Sequence, residues 1–333
     1  MPPDSLALEI VVAAVAVTAP VGAGLVRTRL VRALALALCL LSAAATALVW
    51  LNRQVDAYPT WATLTGSSAE AAPVTATTTP GGGRILDLTV PGHASGLTLP
   101  MYAYLPPGYD TATRTSYPVV EALHGYPASP LQWLKRLHVA KTLDTEITAG
   151  RMAPTIVLFP WQTTRTSLDT ECTNLSGGPQ AETFLTVDVP AFAKTRLRVR
   201  TTPGSWGLIG YSAGGYCATD LLLRHPGQYR AAAGLSSYAT PGIKVGDGSE
   251  RTTYNDCWRL THLPVPAVAL YLASSPADRN SSRDTAALAR LARAPMTVTT
   301  TRMAGGGHNL ATWEAMEAPA FDWLSTWLSR PER

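Results

Sequence analysis

The sequence WGLIGYSAGGYCA, residues 206–218, decides the fold of this chain. An apolar run, Trp206-Gly-Leu-Ile, leads directly into the pentapeptide GYSAG, and a helical pattern follows at once. The pentapeptide alone is a weak signal, but a strand before it and a helix after it are the context in which a serine is held exposed on a sharp turn. We therefore predict that Ser212 is a nucleophile and that Gly210 and Gly214 are the small residues that such a turn requires.

Short apolar runs alternate with helical patterns on both sides of this turn. The predicted strands are 85–90, 98–105, 117–123, 155–159, 206–209, 231–235, 268–273 and 296–302. The predicted helices are 130–147, 180–195, 215–224, 281–292 and 311–328. Opening strands followed by repeated strand–helix units predict one α/β domain with a mostly parallel sheet and helices on both faces.

A serine hydroxyl needs a base, and histidine is the usual one. The chain has six histidines, and around this type of turn the acid and then the histidine follow the serine in chain order. His308, which follows the last predicted strand on the glycine-rich stretch 305–307, is the histidine that fits this position. Asp278 follows the preceding predicted strand and is the predicted acid, while Asp284, inside a predicted helix, is the competitor.

Acyl transfer also needs donors for the oxyanion of the tetrahedral intermediate. The backbone N–H of Ala213, directly after the serine, is one candidate. The other is the N–H of Tyr126 in the stretch His124-Gly125-Tyr126, which follows the third predicted strand. The alternative interpretation of this stretch is a tight turn without a catalytic role.

The N-terminal part contains two long uncharged segments, 10–26 and 33–51. The second has 19 residues, enough for a helix to cross a bilayer core. Three arginines lie between the segments: Arg27, Arg29 and Arg32. The positive-inside rule then predicts a membrane anchor over 1–52, with the loop in the cytoplasm and the following chain outside the cell membrane. A single anchor helix or a cleaved signal peptide is the alternative.

Residues 53–83 are predicted to be a flexible extracytoplasmic linker, because 66–83 is rich in Ala, Thr, Gly and Pro without an apolar period. The catalytic domain is predicted at 84–333. It is large enough for one sizeable core.

Charge and cysteine content limit the partners. The chain has 27 Lys and Arg against 23 Asp and Glu, without a basic cluster interleaved with aromatics, so no nucleic-acid partner is predicted. Cys172 and Cys257 lie in loop-like segments, and an oxidising compartment permits a disulfide between them, with two free thiols as the alternative. The spacing of the 4 cysteines matches no zinc site.

The chain resembles the esterase family of α/β-hydrolases that includes esterase D, the enterochelin esterases and the antigen 85 mycolyltransferases. Four stretches carry the resemblance: YPVVEALHGYPAS at 117–129, GYSAGGYCATDLLLRHPGQY at 210–229, the segment around Asp278, and GGGHNLATWEAMEAPAFDWL at 305–324. The resemblance implies an α/β-hydrolase fold over about 84–329. It also implies a Ser212–His308–Asp278 triad, oxyanion donors at Tyr126 and Ala213, and neither a metal nor an organic cofactor.

The resemblance leaves the acyl acceptor open. The esterases pass the acyl group to water and the antigen 85 enzymes pass it to a sugar hydroxyl, with the same triad. We expect a serine esterase acting on a small-molecule, lipid or glycolipid ester, with an envelope acyltransferase as the alternative. An inactive binding protein and a serine peptidase on the same fold are the remaining hypotheses.

Overall fold

A computed structural model describes residues 1–25, 28–55, 57–65 and 82–333 of the chain. The predicted spacer at 66–83 lies outside these ranges except for Gly82 and Gly83. Within the described part of the predicted linker, one helix continues to Val55 and a short helix follows at Trp61–Thr65.

All eight predicted strands are present, with small shifts at their ends. They are β1 Arg84–Pro91, β2 Thr98–Leu105, β3 Val119–Leu123, β4 Ile156–Pro160, β5 Trp206–Tyr211, β6 Ala231–Leu235, β7 Ala269–Ser274 and β8 Thr297–Arg302. They form one sheet in the order β1-β2-β4-β3-β5-β6-β7-β8. The pairs β1–β2 and β2–β4 are antiparallel, and every later pair is parallel. The prediction of a mostly parallel sheet is confirmed.

The helices lie before the first strand, between the later strands and after the last one. They are α1 Leu6–Leu25, α2 Arg29–Val55, α3 Trp61–Thr65, α4 Leu131–Lys135, α5 Val139–Thr148, α6 Ala181–Thr183, α7 Val189–Arg196, α8 Ala213–Arg224, α9 Asp256–His262, α10 Arg279–Leu291 and α11 Leu310–Trp327. A π-helical turn, Phe184–Asp188, joins α6 to α7.

Two apolar cores cover the two faces of the sheet. One contains Leu221 and Leu222 of α8 packed with Leu208 of β5, and the other contains Phe321 and Leu324 of α11. Every residue of β3, β4, β5, β6 and β7 is buried. This double burial explains why these strands have continuous apolar sequences instead of an alternating pattern.

Two details of the helix prediction are wrong. The predicted helix 130–147 is broken into α4 and α5, because His138 adopts a left-handed backbone conformation with φ 51°. Helix α9 was not predicted, since its seven residues are too few to show a clear apolar period. Asn255 begins this helix, and its side chain accepts a hydrogen bond from the Trp258 N–H.

A buried ion network fixes the C-terminal end of α8. Glu182 accepts two hydrogen bonds from the Arg224 guanidinium, at 2.8 and 3.0 Å, and contacts His225 Nε2 at 2.7 Å. Burial alone would raise the pKa of Glu182, but hydrogen bonds from His225 and Arg224 outweigh it and lower this pKa to about 2. The ionised carboxylate thus ties α6 to the helix that follows Ser212.

The N-terminal helices α1 and α2 pack against each other as a hairpin. The Cys39 thiol of α2 lies 3.2 Å from the Ala16 carbonyl of α1, and Arg53 forms an ion pair with Glu9 at the end where both termini of the hairpin meet. By length and composition, the stretch Arg29–Gln54 of α2 could cross a membrane, whereas the apolar stretch of α1, Leu6–Gly22, is shorter.

Candidate active site

Ser212 lies between β5 and α8 with φ 57° and ψ −123°. A non-glycine residue in this region of backbone space is strained by roughly 1–3 kcal/mol, and such strain is concentrated at functional sites. The turn is possible because its neighbours lack side chains. A Cβ at Gly210 would collide with the Gly214 carbonyl, and one at Gly214 would collide with the Leu123 carbonyl.

The structure brings His308 and Asp278 to this turn. The Ser212 hydroxyl lies 2.8 Å from His308 Nε2, and His308 Nδ1 lies 2.6 Å from the Asp278 carboxylate. Asp278 precedes α10 after β7, while His308 precedes α11 after β8, so both are at the carboxyl edge of the sheet where β5 also ends. This continuous chain of hydrogen bonds can remove a proton from the serine and stabilise the resulting imidazolium.

Asp278 is held as a carboxylate by its surroundings. It accepts hydrogen bonds from the Ser281 hydroxyl at 2.7 Å as well as from His308. Burial alone would raise the pKa of Asp278, but the hydrogen bonds from His308 and Ser281 outweigh it and lower that pKa. Asp284, the competing candidate, instead contacts Arg283 and the Ala239 N–H.

Two aromatic side chains beside His308 were not predicted. The Tyr238 hydroxyl lies 3.1 Å from His308 Nε2, on the same side of the ring as Ser212, and burial raises the pKa of this phenol. Trp313 packs edge-on to the imidazole with ring centroids 5.0 Å apart. Tyr238 follows the end of β6, and this position at the carboxyl edge of the sheet is the signal that could have identified it.

The candidate oxyanion donors lie on either side of a small cleft. Tyr126 and Ala213 both line this cleft, together with His124 and Gly125. The loop passes close to the nucleophile, since a Cβ at Gly125 would lie 2.9 Å from the Tyr211 ring and 3.2 Å from the Ser212 Cβ. His124 is fully buried, and this burial lowers its pKa to about 4, so its ring is neutral near pH 7.

Gln162, at the end of β4, supports the loop that carries Tyr126. Its side-chain oxygen accepts a hydrogen bond from the His124 N–H at 2.6 Å, and its amide donates to the His124 carbonyl at 3.2 Å. The same amide lies 3.4 Å from the Cys172 sulfur. Sequence reasoning missed Gln162, because a lone glutamine after a strand has no distinctive pattern.

The predicted Cys172–Cys257 disulfide is wrong. Cys172 is bonded to Cys217 of α8, with Cα atoms 5.6 Å apart, and Cys257 of α9 is a free thiol. The prediction paired two cysteines in loops, but Cys217 lies on the face of α8 that packs against the loop after β4. The disulfide therefore links that loop to the helix that begins beside Ser212.

Two carboxyl groups lie in the loop above the cleft. Burial and the neighbouring Asp169 raise the pKa of Glu171 to about 8, and burial raises that of Asp169 as well. Both residues line the cleft that contains Ala213. A protonated Glu171 is neutral. The cleft therefore lacks a negative charge there that would repel a developing oxyanion.

A family model described as "Putative esterase" matches residues 93–332. The chain belongs to this family. An uncharacterized protein of Corynebacterium glutamicum is 27% identical over 242 residues, covering 67% of this chain and 56% of that protein. The chain thus spans little more than half the length of this curated relative.

Two solved structures have a similar fold. An S-formylglutathione hydrolase from Agrobacterium tumefaciens superposes with a TM-score of 0.63 at 13% identity, covering 77% of this chain and 99% of its own. MPT51 of Mycobacterium tuberculosis gives a TM-score of 0.56 at 16% identity, with coverage of 78% and 100%. The predicted α/β-hydrolase fold is confirmed. Membership of the esterase family supports an enzymatic role for the chain.

Replacement of Asp278 by asparagine should lower kcat by about 10⁴-fold, because an amide in place of the carboxylate favours the wrong histidine tautomer. Steady-state kinetics on a p-nitrophenyl ester would measure the change. Asp284→Asn is the matched control, and we expect it to retain activity within a few fold. An equal loss in the two variants would contradict the assignment of Asp278.

Loss of the Cys172–Cys217 disulfide should destabilise the loop after β4, which contains Gln162. The bonded cysteines are 45 residues apart, for which loop-closure entropy predicts a stabilisation of about 4 kcal/mol. We therefore expect Cys217→Ala to lower both the melting temperature and kcat. Cys257→Ala, which removes the free thiol of α9, is the control. Equal melting temperatures for Cys217→Ala and the unaltered protein would contradict the expectation.

Proposed function

We propose that this protein is a membrane-anchored, extracytoplasmic serine esterase that acts on carboxylic esters through an acyl-enzyme. The observation that carries the proposal is the hydrogen-bond chain from the Ser212 hydroxyl to His308 at 2.8 Å and onward to Asp278 at 2.6 Å. An activated serine of this kind needs its base and the group that orients the base in contact at once.

In the first step, His308 Nε2 takes the proton of Ser212 as the hydroxyl oxygen attacks the ester carbonyl carbon. The carbonyl oxygen becomes an oxyanion, which accepts hydrogen bonds from the backbone N–H groups of Ala213 and Tyr126. Asp278 stabilises the imidazolium. The tetrahedral intermediate then collapses, and His308 gives its proton to the departing alcohol.

In the second step, water attacks the acyl-enzyme. His308 takes a proton from the water, the second tetrahedral intermediate forms in the same cleft, and the acid leaves as the proton returns to Ser212. The His308 side chain is 32% exposed, so the attacking molecule can approach it from solvent. The Tyr238 hydroxyl is within reach of the same nitrogen and can orient that molecule.

The membrane part of the proposal rests on α1 and α2. The stretch Arg29–Gln54 is long and apolar enough to span a bilayer. Arg29 and Arg32 lie at the start of α2, at the opposite end of this helix from Gln54, which contacts the catalytic domain. Those arginines favour the cytoplasmic side. Both ends of the hairpin, and with them the catalytic domain, then lie outside, where the Cys172–Cys217 disulfide is stable.

An acyltransferase is the second candidate. The exposed edge of His308 favours it, because a sugar hydroxyl can occupy the position of the attacking water without any change in the rest of the machinery. The family resemblance of the chain includes the antigen 85 enzymes, and the MPT51 structure shares its fold.

Turnover of p-nitrophenyl esters by the purified full-length protein in detergent tests the proposal. We expect the unaltered protein to release p-nitrophenol and Ser212→Ala to lose activity by several orders of magnitude. Adding a disaccharide acceptor and analysing the products separates the two candidates, since acylated sugar indicates transfer and free acid indicates hydrolysis. If no ester is turned over, or Ser212→Ala matches the unaltered protein, the proposal fails.

A further inference from the structure

An apolar groove of about 600 Å³ lies between the N-terminal hairpin and the catalytic domain. Its volume is within the range of about 300–1,000 Å³ that is usual for small-molecule sites. The start of α1, the end of α2 and helix α3 form one wall, and the loops after β3 and β4 form the other. The side chains that line it include Ala45, Leu48, Leu51, Trp61, Leu64 and Tyr126.

Three of the polar side chains that line the groove are occupied by hydrogen bonds within the protein. The Asn52 amide donates to the carbonyls of Pro3 and Tyr58, at 3.1 and 2.9 Å, and its oxygen accepts from the Tyr58 N–H. The Trp61 indole donates to the Met1 carbonyl at 2.8 Å, and the Tyr126 hydroxyl donates to the Ser167 carbonyl at 3.1 Å. The surface left for an occupant is therefore mainly apolar, and on it Leu48 and Leu51 are 67% and 51% exposed.

Contacts across the groove hold its two walls together. The Gln132 amide of α4 donates to the Gln54 carbonyl of α2 at 3.1 Å, and Lys135 forms an ion pair with Asp4 at 3.0 Å. Helix α4 follows directly after the loop that carries Tyr126. These contacts hold the start of α1 and the end of α2 beside the loop that carries Tyr126.

The groove adjoins the cleft that contains Ala213, and the two share Tyr126 as a lining residue. Tyr126 is 39% exposed. Thr166 and Ser167 line the groove, while the next residue, Leu168, lines the cleft that contains Ala213. A chain attached to a carbonyl at Ser212 can therefore pass over Tyr126 into the groove.

The groove lies at the membrane surface if α2 spans the bilayer. Its lining on α2 comes from the end of the apolar stretch 33–51, far from Arg29 and Arg32 at the start of this helix. Trp50 and Trp61, half exposed at this level, are residue types enriched at membrane–water interfaces. An acyl chain of an outer-leaflet lipid lies at the same depth.

We propose that this groove binds the long acyl chain of a lipid ester, which enters sideways from the outer leaflet while its carbonyl reaches Ser212. The membrane anchor then forms half of the substrate site in addition to holding the enzyme at the membrane. This inference rests on the proposed function of Ser212, and it names the substrate class: an ester with a long, flexible acyl chain.

Filling the groove should change the chain-length preference. In full-length protein, Ala45→Trp places an indole in the groove, and we expect the ratio of kcat/KM for p-nitrophenyl palmitate to that for p-nitrophenyl acetate to fall at least tenfold. Ala43→Trp is the matched control, because Ala43 is exposed and lies roughly 160° around α2 from Ala45. We expect this ratio to stay unchanged in the control. An unchanged ratio in Ala45→Trp, or an equal fall in Ala43→Trp, overturns the proposal.

A photo-crosslinking experiment on the unaltered protein does not depend on the folding of any variant. A long-chain alkyl fluorophosphonate with a terminal diazirine is reacted with Ser212 in lipid nanodiscs and then irradiated, and the crosslinked peptides are identified by mass spectrometry. We expect crosslinks in the peptides containing α3 and the end of α2. Crosslinks confined to the catalytic domain, with Ser212 labelled, overturn the proposal, because the acyl chain then does not enter the groove. Failure of a short fluorophosphonate to label Ser212 overturns the proposed function itself, and the groove proposal with it.

Discussion

The backbone at Ser212 is the constraint on which the rest of the site depends. Its positive φ turns the chain from β5 into α8 within one residue, and the turn fits only because Gly210 and Gly214 bring no Cβ atoms against the neighbouring carbonyls. The hydroxyl is thereby fixed at the carboxyl edge of the sheet. Asp278 and His308 reach it because they follow β7 and β8, parallel strands whose ends lie at that same edge.

The fold and the three residues Ser212, His308 and Asp278 could be predicted because each has a signal in the nearby sequence. A strand, a glycine-flanked serine and a helix identify the turn, and chain order then selects His308 and Asp278, which the structure brings within hydrogen-bond distance. Continuous apolar runs identified strands β3 to β7, because strands buried on both faces leave that pattern in the sequence.

The remaining features depend on contacts between distant segments, and such contacts leave no local pattern. Gln162 supports the loop of Tyr126 through side-chain hydrogen bonds, Tyr238 approaches His308 from another strand end, and Cys172 pairs with Cys217 across the sheet edge. The apolar groove is also formed by segments that are distant in sequence. Its two walls come from the N-terminal helices and from loops more than 60 residues away in sequence, between Leu64 and Tyr126.

The proposed mechanism requires that Ser212 is a nucleophile activated by His308. Peptide mapping by mass spectrometry after reaction with a fluorophosphonate tests it most directly, because the reagent forms a stable bond only with an activated serine. We expect a single adduct on the peptide that contains Ser212, formed far more slowly in His308→Ala. An adduct at another residue, no adduct, or wild-type labelling of His308→Ala would contradict it.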